Sequence, residues 1–349
     1  MKRRHFLQIG GGALAAPALL GGTANTAAAN QATLRLHQFQ PPFATIASKV
    51  LRPWAAILAD ASDGSLSIEQ FDAMALGGRP TELMDQATDG VVDISMTMVG
   101  YTPNRFPQSE VFELPFISTT DTLCTSLAYQ QMIEETLQDE DFRDVKILGG
   151  FVHGPGVIHA NRPVETVADM QGLKLRGPTR LINALLEQLG ATPVGMPLPA
   201  IPEALSKTVI DGTVIPWEVT PAVRLSELVG HHTEFAGPKA LYTATIVVVM
   251  NKGRYEALPS ELREVLDTHS GAALSRFAGD ELRKADAPGR ALAVERGNSI
   301  ITLDEVQAAT WEEAARPVID AWIDDLEGRG IDARALIQRA ESLIAEKAT

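Results

Sequence analysis

The sequence predicts an α/β protein in which short strands alternate with amphipathic helices. Residues 33–37 and 66–71 alternate apolar and polar side chains, which is typical of strands. A break at residues 89–90 and a β-rich run over residues 91–96 continue the alternation, which predicts a sheet rich in parallel strands. Between the first two strands, apolar residues spaced three and four apart predict one face of a helix, and they are Phe43, Ile46, Val50, Trp54, Ile57 and Leu58.

Length and composition indicate a globular chain of about two domains, at ~150 residues per domain. The 349 residues are 45% hydrophobic and 21% charged, which is an ordinary folded composition. The net charge of −14 argues against nucleic acid and anionic lipid as partners, because both attract basic surfaces. The single cysteine, Cys124, excludes disulfide frameworks and multi-cysteine zinc sites. It lies in an apolar helical run, so we expect it to be buried.

The N-terminus has the pattern of an export signal. Lys2, Arg3 and Arg4 precede a short apolar stretch over residues 9–20, and three alanines at 27–29 form a cleavage pattern. The two arginines followed by Phe-Leu favour the twin-arginine route over an ordinary Sec signal. We therefore interpret residues 1–29 as a signal peptide and expect a periplasmic protein. No later stretch reaches the ~18 apolar residues of a membrane span.

One unit recurs in the two halves of the chain. Leu83 is followed by Gly90 and a β-rich run, and Leu205 is followed at the same spacing by Gly212 and a β-rich run. We expect both glycines to end a helix in the left-handed conformation. Such junctions are common in all α/β proteins. Two lobes that present their strand ends to a shared crevice are nevertheless the arrangement of a hinged binding protein.

The remaining segments suggest how the two lobes are connected. Residues 148–156 resemble a strand with a glycine-rich exit, and the β-branched run over residues 241–251 would return the chain to the first lobe. Residues 259–295 predict one helix of about 35 residues, about 50 Å long, which could span both lobes. We assign the first lobe to residues 30–152 and 241–280. The second lobe, with the C-terminal helices, takes residues 153–240 and 281–349.

Motifs for catalysis are missing from the sequence. It has no phosphate-binding glycine loop, no Gly-x-Ser-x-Gly elbow and no His-Glu-x-x-His helix. His231 and His232 are adjacent and form a poor metal pair, which we expect on a surface loop. We therefore predict no enzymatic activity, no cofactor and no metal. An exported cofactor enzyme is the alternative from another class.

Arg176 is the residue that indicates binding. It ends a predicted strand, and a Gly-Pro turn and a helix that begins near Thr179 follow. A guanidinium offers two parallel donors to a carboxylate, and a helix N-terminus adds exposed amides. A structural ion pair at Arg176 is the alternative.

An ordered series of motifs resembles the substrate-binding proteins of TRAP transporters, of the C4-dicarboxylate-binding type, over essentially the whole chain after the signal. The series comprises Leu-Gly-Gly at 76–78, Asp-Gly-Val-Val-Asp at 89–93, Phe-Glu-Leu-Pro-Phe at 112–116, Asn-Arg-Pro at 161–163, Ala-Asp-Met-Gln-Gly-Leu-Lys-Leu-Arg at 168–176, Leu-Gly-Ala-Thr-Pro-Val at 189–194 and Asp-Gly at 211–212.

The resemblance implies a two-lobed periplasmic-binding-protein fold with hinge strands and a long helix spanning both lobes. It implies that Arg176 clamps the carboxylate of an organic acid, that the lobes close on this solute, and that the closed protein delivers it to TRAP permease subunits in the membrane. A sensory binding protein that signals to a receptor would have the same cleft. We expect a monomer rather than a dimer.

Departures from the family pattern suggest the ligand. Gly156 stands where sialic-acid-type members carry an arginine, and Ile215 stands where many members carry an asparagine. Members that bind 2-oxo acids through a metal tend to have Glu-Trp at residues 214–215. One arginine with apolar or aromatic walls suits a monocarboxylate with an apolar or aromatic body. The candidate ligand-binding residues are Arg176, Trp217, His37, Gln38, Phe39, Tyr101, His153 and Glu218. Trp217 could equally be part of the lobe core. Glu218 would repel a carboxylate if it faced inward, so it either points away or accepts a hydroxyl or an amine on the solute.

Overall fold

The computed structural model describes residues 31–348, so the predicted signal peptide lies outside the described residues. Over this range the chain alternates strands and helices. The strands are β1 (Ala32–Gln38), β2 (Leu66–Phe71), β3 (Ile94–Met98), β4 (Val145–Val152), β5 (Val157–Ala160), β6 (Lys174–Gly177), β7 (Thr192–Gly195), β8 (Gly212–Ile215), β9 (His231–Phe235), β10 (Thr245–Asn251) and β11 (Ser299–Leu303). The helices are α1 (Arg52–Ala61), α2 (Leu83–Thr88), α3 (Thr122–Met132), α4 (Arg180–Gln188), α5 (Ile201–Ser206), α6 (Lys252–Glu256), α7 (Ser260–Thr268), α8 (Ala272–Glu295), α9 (Glu305–Gly328) and α10 (Ala333–Lys347).

The strands form two sheets, each of which is the centre of one lobe. The first sheet has the order β2-β1-β3-β10-β4, and the second has the order β11-β9-β5-β8-β6-β7. In the first sheet, β1 runs parallel to β2 and β3, whereas β10 runs antiparallel to β3 and β4. In the second sheet, β6 runs parallel to β7, and β5 runs antiparallel to β8 and β9. The α/β class and the two lobes are confirmed.

Three connections join the lobes. The chain passes from β4 in the first sheet to β5 in the second through residues 153–156, and it returns from β9 to β10. The long helix α8 packs on β4 at one end and along the 3₁₀ segment Trp217–Val223 of the second lobe. A helix of 24 residues is about 36 Å long, which is enough to reach from one lobe to the other.

The predicted single helix over residues 259–295 is wrong, because the structure contains two. The helix α7 ends at Thr268, and α8 begins at Ala272. Between them, Gly271 adopts φ +56° and its N–H donates to the carbonyl of Leu148 at 2.6 Å. This contact with β4 breaks the helix, although the spacing of apolar residues continues through this segment.

Two further local predictions also differ from the structure. Phe43 is exposed rather than on the buried helix face, because the helix begins only with the π-helical turn Ile46–Leu51. Gly90 has φ +73° as predicted, but Gly212 is the first residue of β8. A Cβ on Gly212 would lie 2.2 Å from the carbonyl oxygen of His159, so close strand pairing requires this glycine.

The C-terminal helices contact both lobes. The helix α9 packs against α4 of the second lobe, whereas α10 packs against α3, which covers β4 of the first. The buried thiol of Cys124 in α3 contacts the carbonyl oxygen of Ile344 at 3.3 Å. The helix α10 therefore packs mainly on the helix α3 of the first lobe.

Candidate functional site

A cavity lies between the two sheets at the carboxyl ends of their parallel strands, where ligands of open α/β sheets bind. The cavity between the closed lobes is small, about 30 Å³, which is room for one or two water molecules. The first lobe contributes Phe39, Gln40, Met98 and Ile246, and the segments that connect the lobes contribute His153 and Tyr242. The second lobe contributes Arg176, Pro178, Leu198, Val214, Ile215, Pro216, Glu218 and Val219. Nine of these side chains are apolar. The polar ones are Gln40, His153, Arg176, Glu218 and Tyr242.

Arg176 is a buried cation without an acidic partner. Its side chain extends from the end of β6, and the residue is only 1% exposed. Its Nε donates to the carbonyl of Met196 at 2.8 Å and Nη1 lies 3.5 Å from the carbonyl of Val214, whereas Nη2 has no hydrogen-bond partner. None of the ion pairs among residues 31–348 includes Arg176. Burial lowers the pKa of the guanidinium from its ordinary value, but arginine remains charged in proteins. An unpaired buried charge is costly, so the site is suited to an anion.

Two tyrosine hydroxyls share the environment of this guanidinium. Tyr101 and Tyr242 both lie near Arg176 and favour its charged form, Tyr101 also through a hydrogen bond. The Oη of Tyr242 is buried and has no partner. Burial raises the pKa of both phenols, so they remain protonated and can donate to an anion. The Nη2 of Arg176 and the Oη of Tyr242 are therefore donors available to a ligand carboxylate.

Tyr242 was not among the sequence-based candidates, and its ring lies against Gly156. A Cβ on Gly156 would lie 2.0 Å from the Cε1 atom of Tyr242. The tyrosine ring thus fills the space that a side chain at residue 156 would need. The phenol of Tyr242 therefore lies beside Arg176 and near Gly156, where sialic-acid-type members of the family carry an arginine. The sequence could not reveal this, because Tyr242 and Gly156 are distant in sequence and meet only in the hinge.

Glu218 is a second buried ionisable group in the cavity. The residue is 4% exposed and its Oε2 has no hydrogen-bond partner. Burial, and then the charge of Asp286, raise the pKa of Glu218 well above its usual range. Both effects favour the neutral form of the carboxyl group. As a neutral acid it does not repel a carboxylate, and it can both donate and accept a hydrogen bond.

His153 contributes a neutral imidazole to the cavity. Its Nδ1 donates to the carbonyl of Gly154 at 2.6 Å, so the proton sits on Nδ1. Burial lowers the pKa of His153 to about 4. The ring meets Tyr242 edge to face, with 5.5 Å between centroids. His153 therefore adds no charge to the site and fixes the ring of Tyr242.

The structure brings Phe39, His153, Arg176 and Glu218 together, and it places Tyr101 beside Arg176. The ring of Phe39 packs on that of Tyr101 with 5.3 Å between centroids. The remaining wall residues, such as Met98, Leu198 and Ile246, were not among the sequence-based candidates. An apolar residue that lines a cavity carries the same sequence pattern as one in the core.

His37 and Gln38 do not line the cavity, because neighbouring loops use their polar atoms. The Nδ1 of His37 donates to Oε1 of Gln86 at 2.7 Å, and its Nε2 accepts from the backbone N of Leu76. The amide of Gln38 donates to the carbonyl of Gln40 at 2.7 Å and to Asp72 at 2.6 Å. Both residues support the segment that carries Phe39 and Gln40.

Trp217 also lies outside this cavity, which corrects the expectation that it forms an aromatic wall. Its indole N–H donates to Oε2 of Glu234 at 3.0 Å. Its ring packs against His159 and His232, with centroids 5.0 and 5.1 Å away. Successive side chains of an extended or 3₁₀ segment point in different directions, so Glu218 enters the cavity while Trp217 packs behind the second sheet. His232 is buried in β9 and is not on a surface loop.

No group of three or more His, Cys, Asp or Glu side chains within residues 31–348 could hold a metal ion. No helix of the described range is long and apolar enough to cross a bilayer.

Two α/β lobes joined by crossing strands, with an unpaired arginine buried between them, define a hinged solute-binding protein with a site for an anion. The family model for bacterial extracellular solute-binding protein, family 7 (DctP), matches residues 39–325. The chain belongs to this family, which is that of the TRAP solute-binding proteins.

Solved structures and curated relatives extend this similarity. A TRAP solute-binding protein from Rhodoferax ferrireducens T118, in complex with copurified benzoate, is 44% identical with a TM-score of 0.89, covering 91% of this chain and 99% of its own. A marine metagenome TRAP solute-binding protein specific for aromatic acid ligands, in complex with 3-hydroxybenzoate, is 41% identical with a TM-score of 0.89, covering 92% and 100%. The C4-dicarboxylate-binding periplasmic protein DctP of Rhodobacter capsulatus is 22% identical, covering 78% of this chain and 81% of its own.

Proposed function

We propose that this protein captures an aromatic monocarboxylate in the periplasm and delivers it to a TRAP permease. The observation that carries the proposal is the guanidinium of Arg176, which is buried without an acidic partner in a largely apolar cavity. A ligand carboxylate would neutralise this charge and accept from Nη2 and from Tyr242. A second ligand carboxylate would have no cation to meet among the residues that line the cavity. A monocarboxylate therefore fits the cavity better than a C4-dicarboxylate.

The walls of the cavity support a ring as the body of the ligand. Phe39, Met98, Leu198, Ile215 and Ile246 offer apolar surface from both lobes. Such walls stabilise an aromatic ring by burial and give few hydrogen bonds to a sugar or a polyol. The benzoate and 3-hydroxybenzoate held by two relatives above 40% identity agree with this choice.

Calorimetric titration of the purified protein with benzoate tests the proposal, with benzamide as the neutral analogue. We expect benzoate to bind and benzamide to fail, because only the anion neutralises Arg176. Arg176→Met should weaken benzoate binding by about 2–5 kcal/mol, the usual effect of removing one partner of a buried charge pair. Arg334→Met removes an exposed arginine paired with Glu327 and serves as the control. Undiminished benzoate binding by Arg176→Met would contradict the assignment of the clamp.

We also propose that residues 1–29 direct export by the twin-arginine route. TRAP solute-binding proteins are periplasmic, and the paired Arg3 and Arg4 support this particular route. Replacing both arginines by lysine should keep the protein in the cytoplasm, as judged by cell fractionation. Continued export of the twin-lysine variant would instead indicate a Sec signal.

A further inference from the structure

Glu218 is the buried polar group of the cavity that a monocarboxylate does not explain. A carboxylate on Arg176 and Tyr242 satisfies the donors at one part of the cavity. Oε2 of Glu218 would still have no partner. Unsatisfied buried polar atoms are rare in native proteins, and each one calls for an explanation. We propose that Glu218 binds a hydroxyl group of the ligand, so that the solute is a hydroxylated aromatic monocarboxylate. This inference rests on the proposed function.

The main chain of Glu218 is hydrogen-bonded both to the long helix and to the first lobe. Its N–H donates to Oδ1 of Asp286 in α8 at 3.0 Å. Its carbonyl accepts from the hydroxyl of Thr45 in the first lobe at 3.2 Å. The contact with Thr45 joins the two lobes, so Glu218 is oriented in the closed cleft.

A second orphan atom in the cavity supports the same conclusion. Gln40 is buried and lines the cavity, and its Oε1 has no partner. Gln40 is an acceptor from the first lobe, and Glu218 comes from the second. Neither can be satisfied by the benzene ring of an unsubstituted acid.

A hydroxyl fits Glu218 better than an ammonium does. Glu218 faces Asp286 on α8, and burial together with that carboxylate favours its neutral form, as shown above. A neutral acid donates one hydrogen bond and accepts another, which matches a hydroxyl that does both. An ammonium would require Glu218 to ionise in a buried position. A site built to hydrogen-bond a hydroxyl disfavours the analogue that lacks it, because its own polar groups are then left unpaired.

The test compares two variants with four ligands in calorimetric titrations at neutral pH. The ligands are benzoate, 3-hydroxybenzoate, 4-hydroxybenzoate and 3-(aminomethyl)benzoate. The unaltered protein should bind at least one hydroxybenzoate tenfold or more tightly than benzoate. Glu218→Leu should lose the preference for the hydroxyl, so that it binds the hydroxybenzoates no more tightly than benzoate. Glu218→Gln should keep most of the preference, because an amide donates and accepts as the neutral acid does.

The possible outcomes separate this inference from the proposed function. Equal affinity for benzoate and both hydroxybenzoates, or a hydroxyl preference that survives in Glu218→Leu, would overturn the role of Glu218 and leave the proposed function standing. Tightest binding of 3-(aminomethyl)benzoate, abolished in Glu218→Gln, would overturn the hydroxyl in favour of an ammonium. Failure of all four ligands would overturn both proposals. Benzoate binding by Glu218→Leu also shows that this variant is folded.

Discussion

The hydroxyl oxygen of Tyr101, in the first lobe, accepts a hydrogen bond from the backbone N–H of Leu198, in the second lobe, at 3.0 Å. Tyr101 follows β3 and Leu198 follows β7, so this bond crosses the cleft directly. The same phenol adjoins Arg176. Tyr101 therefore takes part both in the contact between the lobes and in the environment of Arg176.

Tyr101→Phe should weaken ligand binding without unfolding the protein. The variant leaves the N–H of Leu198 without its partner in the closed state, which costs about 1–2 kcal/mol, or roughly 5- to 30-fold in affinity. Calorimetric titration with benzoate measures the effect. Tyr255→Phe removes an exposed phenol bonded to Asp267, far from the cleft, and should leave the affinity unchanged. Equal losses in the two variants would argue against a specific role for Tyr101.

Gly100→Ala should obstruct closure while sparing the fold. A Cβ on Gly100 would lie 2.3 Å from Cγ2 of Thr179, which caps α4 in the other lobe. We expect benzoate affinity to fall by tenfold or more, because overpacking typically costs about 1–3 kcal/mol. The melting temperature without ligand should change little, since the lobes can separate. Gly230→Ala, where no atom lies within 4 Å of the added Cβ, is the matched control. Unchanged affinity in Gly100→Ala would mean that the lobes need not approach this closely.

Trp217→Phe should lower stability but leave ligand affinity intact. The variant loses the hydrogen bond to Glu234 and part of the packing on His159 and His232. Loss of the bond leaves Glu234 with Arg290 and Thr302 as partners, so the expected cost is about 1 kcal/mol. Thermal unfolding and benzoate titration measure the two effects separately. A loss of affinity larger than the loss of stability would return Trp217 to the ligand site.

Glu113→Gln should stabilise the protein at alkaline pH. Burial raises the pKa of Glu113 from 4.5 to about 7, although the N–H and hydroxyl of Thr245 donate to Oε1 at 3.0 and 2.8 Å. Between these pH values the folded protein keeps a proton that the unfolded chain releases. The free energy of unfolding therefore falls as the pH rises from about 4.5 to about 7, and the loss persists above that range.

Glutamine avoids this loss, because its amide is neutral at every pH. The expected advantage of Glu113→Gln at pH 8 is at most about 3 kcal/mol, and it should vanish near pH 4.5. Denaturant unfolding of both proteins at the two pH values measures it, and other titrating groups cancel in the comparison. An advantage that is the same at both pH values would indicate a packing effect instead.

The sequence predicted the elements that depend on local patterns. The alternating run at residues 66–71 coincides with β2, because the two faces of a strand impose that period. The run over residues 174–177 forms β6 with Arg176 near its end, and Thr179 caps the helix that follows. The order of strands and helices therefore identified the fold class, and Arg176, which the sequence singled out, lines the cavity between the lobes.

Contacts between distant segments decided the rest. Tyr242 and Arg176 meet although 66 positions separate them, and Gly271 breaks a helix because it binds Leu148 in β4. Trp217 and Glu218 are adjacent in sequence, yet only Glu218 lines the cavity. Their position in the chain does not distinguish these two, because both begin the same 3₁₀ segment.

By itself, then, the sequence determined the α/β class, the two-lobed order of elements and the arginine at the end of a strand. These features follow from the periodicity of side chains and from motifs a few residues long. Only the tertiary structure decided which polar atoms remain unpaired in the cavity, such as Nη2 of Arg176 and Oε2 of Glu218. Pairing depends on which distant groups the closed lobes bring within hydrogen-bond distance, and that is a property of packing rather than of local sequence.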